Sequence, residues 1–459
     1  MINSKIFKEY DIRGAYPSEL NEAAAFALGL AFAKTTRARK IVIGRDARPE
    51  SEKVFWPLVS ALAVAGVKVY DLGVCSTPEL FFAVGHKKFP AGCMVTASHS
   101  PVGETGFKFC DSDGVVLGLK TGLKKLEAQA DKELKSLQDI KEFKTNKNNV
   151  DFISIAADYK KFVLSFVKPS NLKNLRIVLD ASNGSGARLA ETVFNALPIK
   201  KSLVNFNRRD RLAHGPNPLL PENQKAIKKR VVAEKADFGV IFDGDADRAI
   251  FFDEAGKLVE PYYINCLLSE IILQSKKGLT VTIDARLGLA LSEVIKNNGG
   301  KVLRHRSGYA NFIHTMSRKG LLFGCENSGH FMFNFGLKGA RSFVYGDAII
   351  PILIVADYLS RSKTTLSEVI DKFKKHYVIS GELNFKTDKF EMIAKTLKKN
   401  FSKAKTDDLD GLSVFDSAGE WFFNLRPSHT EPTIRLNIEA KNQAKLNQLK
   451  DEIISVIKK

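Results

Sequence analysis

The sequence predicts an α/β protein of several domains. Three observations carry that expectation. At 459 residues the chain is too long for one ordinary core, which predicts two to four domains. Short β-rich runs alternate with helical stretches along most of it, as a largely parallel sheet requires. Hydrophobic content of 44% and aromatic content of 10% suffice for well-packed interiors. In order, the first unit holds Lys40-Ile41-Val42-Ile43, a helix after Ser51, Val67-Lys68-Val69-Tyr70 and a helix from Pro78. A Lys- and Asn-rich stretch from Lys141 to Asn149 predicts a linker. The second unit repeats the alternation around Leu175–Asp180 and ends in the apolar run Ala236–Phe242. A third contains Leu279–Asp284, Lys301-Val302-Leu303 and Leu321-Leu322-Phe323. From about Ser367 the pattern changes to short strands near Trp421-Phe422-Phe423 and Ile434-Arg435-Leu436, followed by a C-terminal helix, which predicts a smaller α+β unit. The divisions expected are 1–147, 148–254, 255–366 and 367–459.

Asp243-Gly244-Asp245-Ala246-Asp247-Arg248 is the most informative segment. It places three carboxylates at alternate positions on the loop leaving a buried strand. Carboxylates that close repel one another unless a cation holds them, and all-oxygen ligands suit Mg²⁺. An EF-hand would need Gly at the sixth loop position. Here Gly is second and Ile250-Phe251-Phe252 fills the loop, although Glu254 stands twelfth. A solvated acidic turn and the Asp-x-Asp of aspartyl-phosphate phosphatases remain as competitors.

Thr96-Ala97-Ser98-His99-Ser100-Pro101 follows a second apolar run, Gly92–Val95. Small neighbours and Pro101 predict an exposed Ser98 hydroxyl at a strand end. Gly-x-Ser-x-Gly on a strand-to-helix elbow is missing, so a hydrolase reading lacks its motif. Each of the first three units thus has a strand running into a polar loop, at Ser98, Asp243 and Glu326. Ligand sites in open α/β sheets lie at the carboxyl ends of strands, so these loops can converge on one cleft.

The net charge of +19 suits scattered surface lysines such as Lys124-Lys125 and Lys398-Lys399, and equally a positive field attracting a dianionic ligand. A catalytically idle basic protein binding nucleic acid or another polyanion would also explain it. No reading motif accompanies the charge, and that alternative leaves Ser98 and Asp243 without a role. Five cysteines without Cys-x-x-Cys spacing predict reduced, buried thiols and a cytoplasmic protein. Met1–Tyr10 carries no apolar core of a signal peptide, and Ala348–Ala356 is too short to span a bilayer.

Together these segments resemble the α-D-phosphohexomutase family, which includes phosphomannomutase, phosphoglucomutase and phosphoglucosamine mutase. The resemblance runs along nearly the whole chain in the family's order. It takes in Glu9-Tyr10-Asp11-Ile12-Arg13-Gly14, Gly44-Arg45-Asp46-Ala47-Arg48, the serine loop, Gly106-Phe107-Lys108, His214–Pro218 and the metal loop. Cys325–His330 is similar to the family's sugar-binding loop, and Arg426–Pro432 to its phosphate-binding loop.

The resemblance implies four domains around a central cleft, three related mixed α/β domains and a smaller C-terminal one. It implies an intramolecular phosphotransferase that moves phosphate between O6 and O1 of a hexose. Ser98 would carry the phosphoryl group and help bind Mg²⁺ with Asp243, Asp245 and Asp247. Hexose 1,6-bisphosphate would be intermediate and activator. Arg248 and Arg13 would assist transfer, with Lys108 and His330 handling protons. Tyr10, Glu326 and Ser328 would meet the sugar, and Arg426, Ser428, His429 and Thr430 the non-reacting phosphate. A capping box at Ser428–Glu431 is the competing structural reading of that last loop.

Two departures bear on sugar choice. Arg306-Ser307-Gly308-Tyr309 stands where bacterial relatives often have Lys-x-Gly-His, and Arg286 replaces a further lysine. Tyr309 would donate a single hydrogen bond, and Arg286 keeps charge in another geometry. Asn327, where glucosamine-phosphate mutases usually have Gln, favours mannose phosphate with glucose phosphate also accepted; phosphoglucosamine mutase is the alternative. The expected partners are sugar phosphates alone, with no nucleic acid or membrane, for a monomer or weak dimer. The fourth unit is expected to hinge near Arg361–Ser367 so that the bisphosphate can turn.

Overall fold

The computed structural model describes residues 2–136, 149–207, 212–336, 342–428 and 432–458. Four sheets follow one another along the chain. The first is six-stranded, and the other three have five strands each. The first three share one plan. A central strand is flanked by two parallel neighbours, and the second neighbour turns back as an antiparallel partner. The central strands are Lys40–Arg45, Arg176–Asp180 and Thr280–Asp284. Their turning neighbours are Ala91–Val95, Phe238–Phe242 and Phe323–Cys325, which pair back with Glu104–Asp111, Ala249–Phe252 and Phe331–Asn334. The turning strands are buried along their whole length, which accounts for their unbroken apolar sequences. All five cysteines are buried free thiols.

The loops carrying Ser98, Asp243–Asp247 and Glu326–His330 are the three hairpin connections of this repeated plan. Each is therefore delivered at the carboxyl end of a buried strand and held by a strand on either side. Among the described residues, no helix is long and apolar enough to cross a membrane.

The fourth sheet is antiparallel throughout, in the order Val378–Lys386, Thr433–Ala440, Trp421–Pro427, Leu412–Phe415, Lys405–Asp407, and is covered by the helices Phe390–Asn400 and Gln443–Ile457. Arg426 ends a strand and Thr433 begins the next, so the loop between them joins strands and caps no helix.

Two junctions fall later than the expected divisions. Val150–Phe152 adds a parallel edge strand to the first sheet. The helix Leu366–Lys374 buries Leu366, Val369, Ile370 and Phe373 in the core of the third unit. Arg361–Ser367 is thus the end of one helix and the capped start of another. A hinge of the fourth unit belongs instead near Tyr377–Val378, where its sheet begins. Most of the expected linker, 137–148, lies outside the described residues.

One buried carboxylate ties the fourth unit to the third. Glu439 accepts hydrogen bonds from Gly288 N, Leu289 N and Ala290 N at 2.7–3.0 Å and from the Tyr262 hydroxyl. It thereby serves the helix Leu289–Asn297 as a cap supplied from another domain, satisfying orphan N–H groups and facing the positive end of the dipole. Glu439→Ala should cost about 2–4 kcal/mol and speed amide exchange at Gly288–Ala290. Unchanged exchange there would show that the contact contributes nothing.

Candidate active site

The four units enclose a cleft of about 820 Å³. Its reactive end is built on the serine loop. Ser98 adopts a left-handed conformation (φ 52°) and is only 1% exposed, so its hydroxyl is not free at a strand end as the sequence suggested. Instead Ser98 Oγ donates to Asp243 Oδ2 at 3.1 Å. A left-handed serine is strained, and its surroundings hold it. Ser98 N donates to Thr96 Oγ1, which in turn donates to buried Asp46. Arg48 donates to the carbonyls of Ser98, Ser100 and Pro101 at 2.6–2.9 Å. The motif Gly44–Arg48 therefore has a clear task, clamping the serine loop from below.

Asp243, Asp245 and Asp247 converge from the second unit, each offering a carboxylate oxygen within 4.8 Å of the others. Asp243 Oδ1 accepts from Asp247 N and Arg248 N, which fixes the turn. Thr77 Oγ1, from the first unit, donates to Asp245 Oδ2 at 2.6 Å. Lys108 Nζ lies 2.7 Å from both Asp245 and Asp247. Burial opposes its charge, but the two carboxylates outweigh burial and hold Lys108 protonated. Lys108 can therefore donate a proton or neutralise charge, and is not a free base. Burial, then Asp247 and Asp245, push Asp243 well above the usual carboxylate range. At Asp247, Lys108 and His330 overcome burial and hold the carboxyl well below it. Buried Asp245 Oδ1 has no hydrogen-bond partner. Three converging hard oxygen donors, one of them unsatisfied, fit a divalent cation.

The third unit supplies His330, whose Nε2 lies 3.2 Å from Asp247 and whose Nδ1 lies 3.2 Å from Glu326. Burial and Arg248 lower its affinity for a proton; the two carboxylates more than restore it, so the net shift is upward. His99 is the opposite case. Burial, then Arg248 and Arg13, hold it well below the usual range, so the neutral ring accepts from Arg248 at 2.9 Å. Arg13 pairs with Asp11 and donates to Ser100 Oγ at 3.2 Å.

Toward the sugar end, Glu326 accepts from Gly308 N at 2.7 Å, and Ser328 Oγ lies 2.9 Å from His330 Nδ1. Gly308 (φ 120°) has no room for a side chain, because the Tyr10 ring stands 2.6 Å from where its Cβ would lie. The Tyr10 hydroxyl accepts from Asn311. Tyr309 differs from expectation: its hydroxyl accepts from Gly346 N at 2.9 Å, and its ring lines the cleft 5.3 Å from that of His330. It therefore offers the sugar an aromatic face in place of a hydrogen bond. Arg286 is held by Asp284 and by Glu382 of the fourth unit. Arg426 lines the same end of the cleft, and Ser428 follows it with its N–H donating to Thr433 O. His429 and Thr430 lie outside the described residues.

Several residues here were not anticipated: Asp46, Arg48, Thr77, His99, Asp284, Glu382 and Arg435. One signal could have found some of them. Asp46-Ala47, Asp180-Ala181 and Asp284-Ala285 end the three central strands, and each buried aspartate accepts from the N–H two residues on.

The chain matches all four domain models of the phosphoglucomutase/phosphomannomutase family. Domains I to III, described as alpha/beta/alpha, match residues 4–136, 157–256 and 260–377, and the C-terminal domain matches 382–456. It is 33% identical over 453 residues to a protein of Xanthomonas campestris named for phosphohexose mutases, covering 98% of both. A phosphomannomutase of Vibrio cholerae is 32% identical, covering 99% of this chain and 98% of that one. A Burkholderia thailandensis structure of the family superposes with a TM-score of 0.85 at 25% identity, covering 100% of this chain and 98% of its own. The protein belongs to the phosphoglucomutase/phosphomannomutase family, and its class of enzyme is the phosphohexomutase.

Arg48 gives a test of the loop geometry. Arg48→Lys cannot reach three carbonyls with one planar group, so kcat should fall about a hundredfold with KM little changed. Equal kinetics for the two proteins would show that the clamp is dispensable.

Proposed function

We propose that the protein interconverts hexose 6-phosphate and hexose 1-phosphate through a phosphorylated Ser98 and a hexose 1,6-bisphosphate intermediate, with mannose phosphate preferred. The observation that carries this reading is Ser98 Oγ buried 3.1 Å from Asp243, with Lys108, Arg248 and His330 gathered on the same carboxylates.

Phosphoryl transfer depends on placement and charge neutralisation. In the first half-reaction the bond between phosphorus and Ser98 Oγ breaks as one forms to the sugar hydroxyl, whose proton must leave. His330, between Asp247 and Glu326, is the group placed to hold that proton. Lys108 and Arg248 place positive charge beside the transferring oxygens. The intermediate then turns, Ser98 Oγ takes phosphate from the other end, and the proton returns to the sugar oxygen left behind. Asp243, Asp245 and Asp247 with Ser98 would hold Mg²⁺, which supplies further charge neutralisation when bound. Glu326 and Ser328 are placed to meet ring hydroxyls, and the Tyr309 ring to meet an apolar sugar face. Arg426, with Ser428, His429 and Thr430, would grip the non-reacting phosphate.

Ser98→Ala should abolish turnover, as should chelation of divalent cations, and intact mass of the purified protein should show a fraction carrying one phosphate. An alanine variant with wild-type activity would sink the mechanism. Sugar choice rests on Asn327 and on the relatives named phosphomannomutase. Coupled assays should rank mannose 1-phosphate first, glucose 1-phosphate next and glucosamine 1-phosphate last; a glucosamine preference would reverse the assignment.

A further inference from the structure

On the fourth sheet Arg426 stands directly opposite Arg435. Facing residues on neighbouring strands project from the same side, and two like charges so placed repel. Both side chains line the cleft, and Nε of each is buried without a hydrogen-bond partner. Arg286 joins them from the third unit. A single anion from the protein sits among the three. Glu382 Oε2 lies 3.2 Å from Arg286 and 3.6 Å from Arg426, and Oε1 lies 3.3 Å from Arg435.

Glu382 is aimed there by a break in its own strand. The register of Val378–Lys386 shifts between Ile379 and Glu382, and Gly381 within the shift has φ 69°. A bulge with a left-handed glycine bends a strand and re-aims the next side chain. The Glu382 side chain keeps 27% of its surface open to the cleft, so the position is accessible to a ligand. Burial alone would raise its pKa, but the three guanidiniums outweigh burial and keep the group ionised.

We propose that Glu382 competes with the substrate's phosphate for the guanidinium cluster of Arg286, Arg426 and Arg435, and that phosphate binds there by exchange with this carboxylate. The proposal rests on the reading of the Arg426 loop as a phosphate grip, and adds Arg435 and Glu382 to it. A phosphate brings up to two charges and three equivalent acceptor oxygens, one for each guanidinium, where the carboxylate brings one charge and two oxygens. Phosphate therefore wins, but by less than it would against three unopposed cations. The exchange suits a reaction whose bisphosphate must let go, turn and bind again by its other end. An unopposed cluster would hold the first phosphate too long. The swap also replaces the carboxylate linking Arg286 of the third unit to the fourth sheet, so ligand exchange and the seating of the fourth domain are coupled.

Calorimetric titration of the full chain with inorganic phosphate tests this, using wild type, Glu382→Gln and Arg426→Ala. Glu382→Gln should bind phosphate about tenfold more tightly, with KM for hexose phosphate falling and kcat falling as release slows. Glu382→Ala carries the same expectation and serves if the amide variant does not fold. Binding by the Glu382 variants that is equal to or weaker than wild type, with Arg426→Ala still weakening it, would overturn the exchange and leave the phosphate grip standing. Phosphate binding indifferent to Arg426→Ala would overturn both.

Discussion

Burying three aspartates within 4.8 Å of one another is the constraint on which the rest of the site depends. Such a cluster is tolerable only if positive charge or a cation is brought to it. The protein brings charge from three separate units. Lys108 comes from the returning strand of the first sheet, Arg248 from the end of the aspartate loop itself, and His330 from the third unit. Backbone contacts reinforce the meeting, with Thr77 N donating to Asp245 O and Arg248 bridging to His330. The need to neutralise the aspartates thus fixes the mutual placement of the first three domains as well as the chemistry.

The repeated sheet plan explains why reactive groups from distant parts of the sequence meet at all. In each of the first three units the functional loop occupies the same hairpin, between a fully buried strand and its antiparallel return. A connection held at both ends cannot wander, and that suits groups needing placement to a fraction of an ångström. The central strands contribute a second layer. Their terminal aspartates, Asp46, Asp180 and Asp284, organise the neighbouring loops and are seldom exposed themselves. Asp46 steadies the serine loop through Thr96, and Asp284 orients Arg286.

The fourth domain is attached by different means. Its link to the third is concentrated in carboxylates, Glu439 beneath a helix N-terminus and Glu382 among guanidiniums. The first is buried and satisfied by four donors, whereas the second faces the cleft. A domain held by one permanent and one exchangeable contact can stay docked and still respond to what enters the cleft.

The sequence by itself determined the α/β class, the strands and the loops at Ser98, Asp243 and Glu326. Apolar runs of fixed period and short motifs are local properties, and local sterics and burial act on them directly. It also contained the order of motifs by which the family is recognised. What only the tertiary structure decided are relations between distant residues. Ser98 turned inward because Asp243, 145 positions away, accepts its hydroxyl. Tyr309 turned its hydroxyl to the backbone of Gly346, and the helix at Leu366 joined the third core, because partners there satisfied them better than the cleft or the last sheet. Arg435 and Glu382 belong to no legible motif. Their meeting depends on strand register and on one bulge, and register is set by pairing across the sheet and not by the residues that face each other once it is formed.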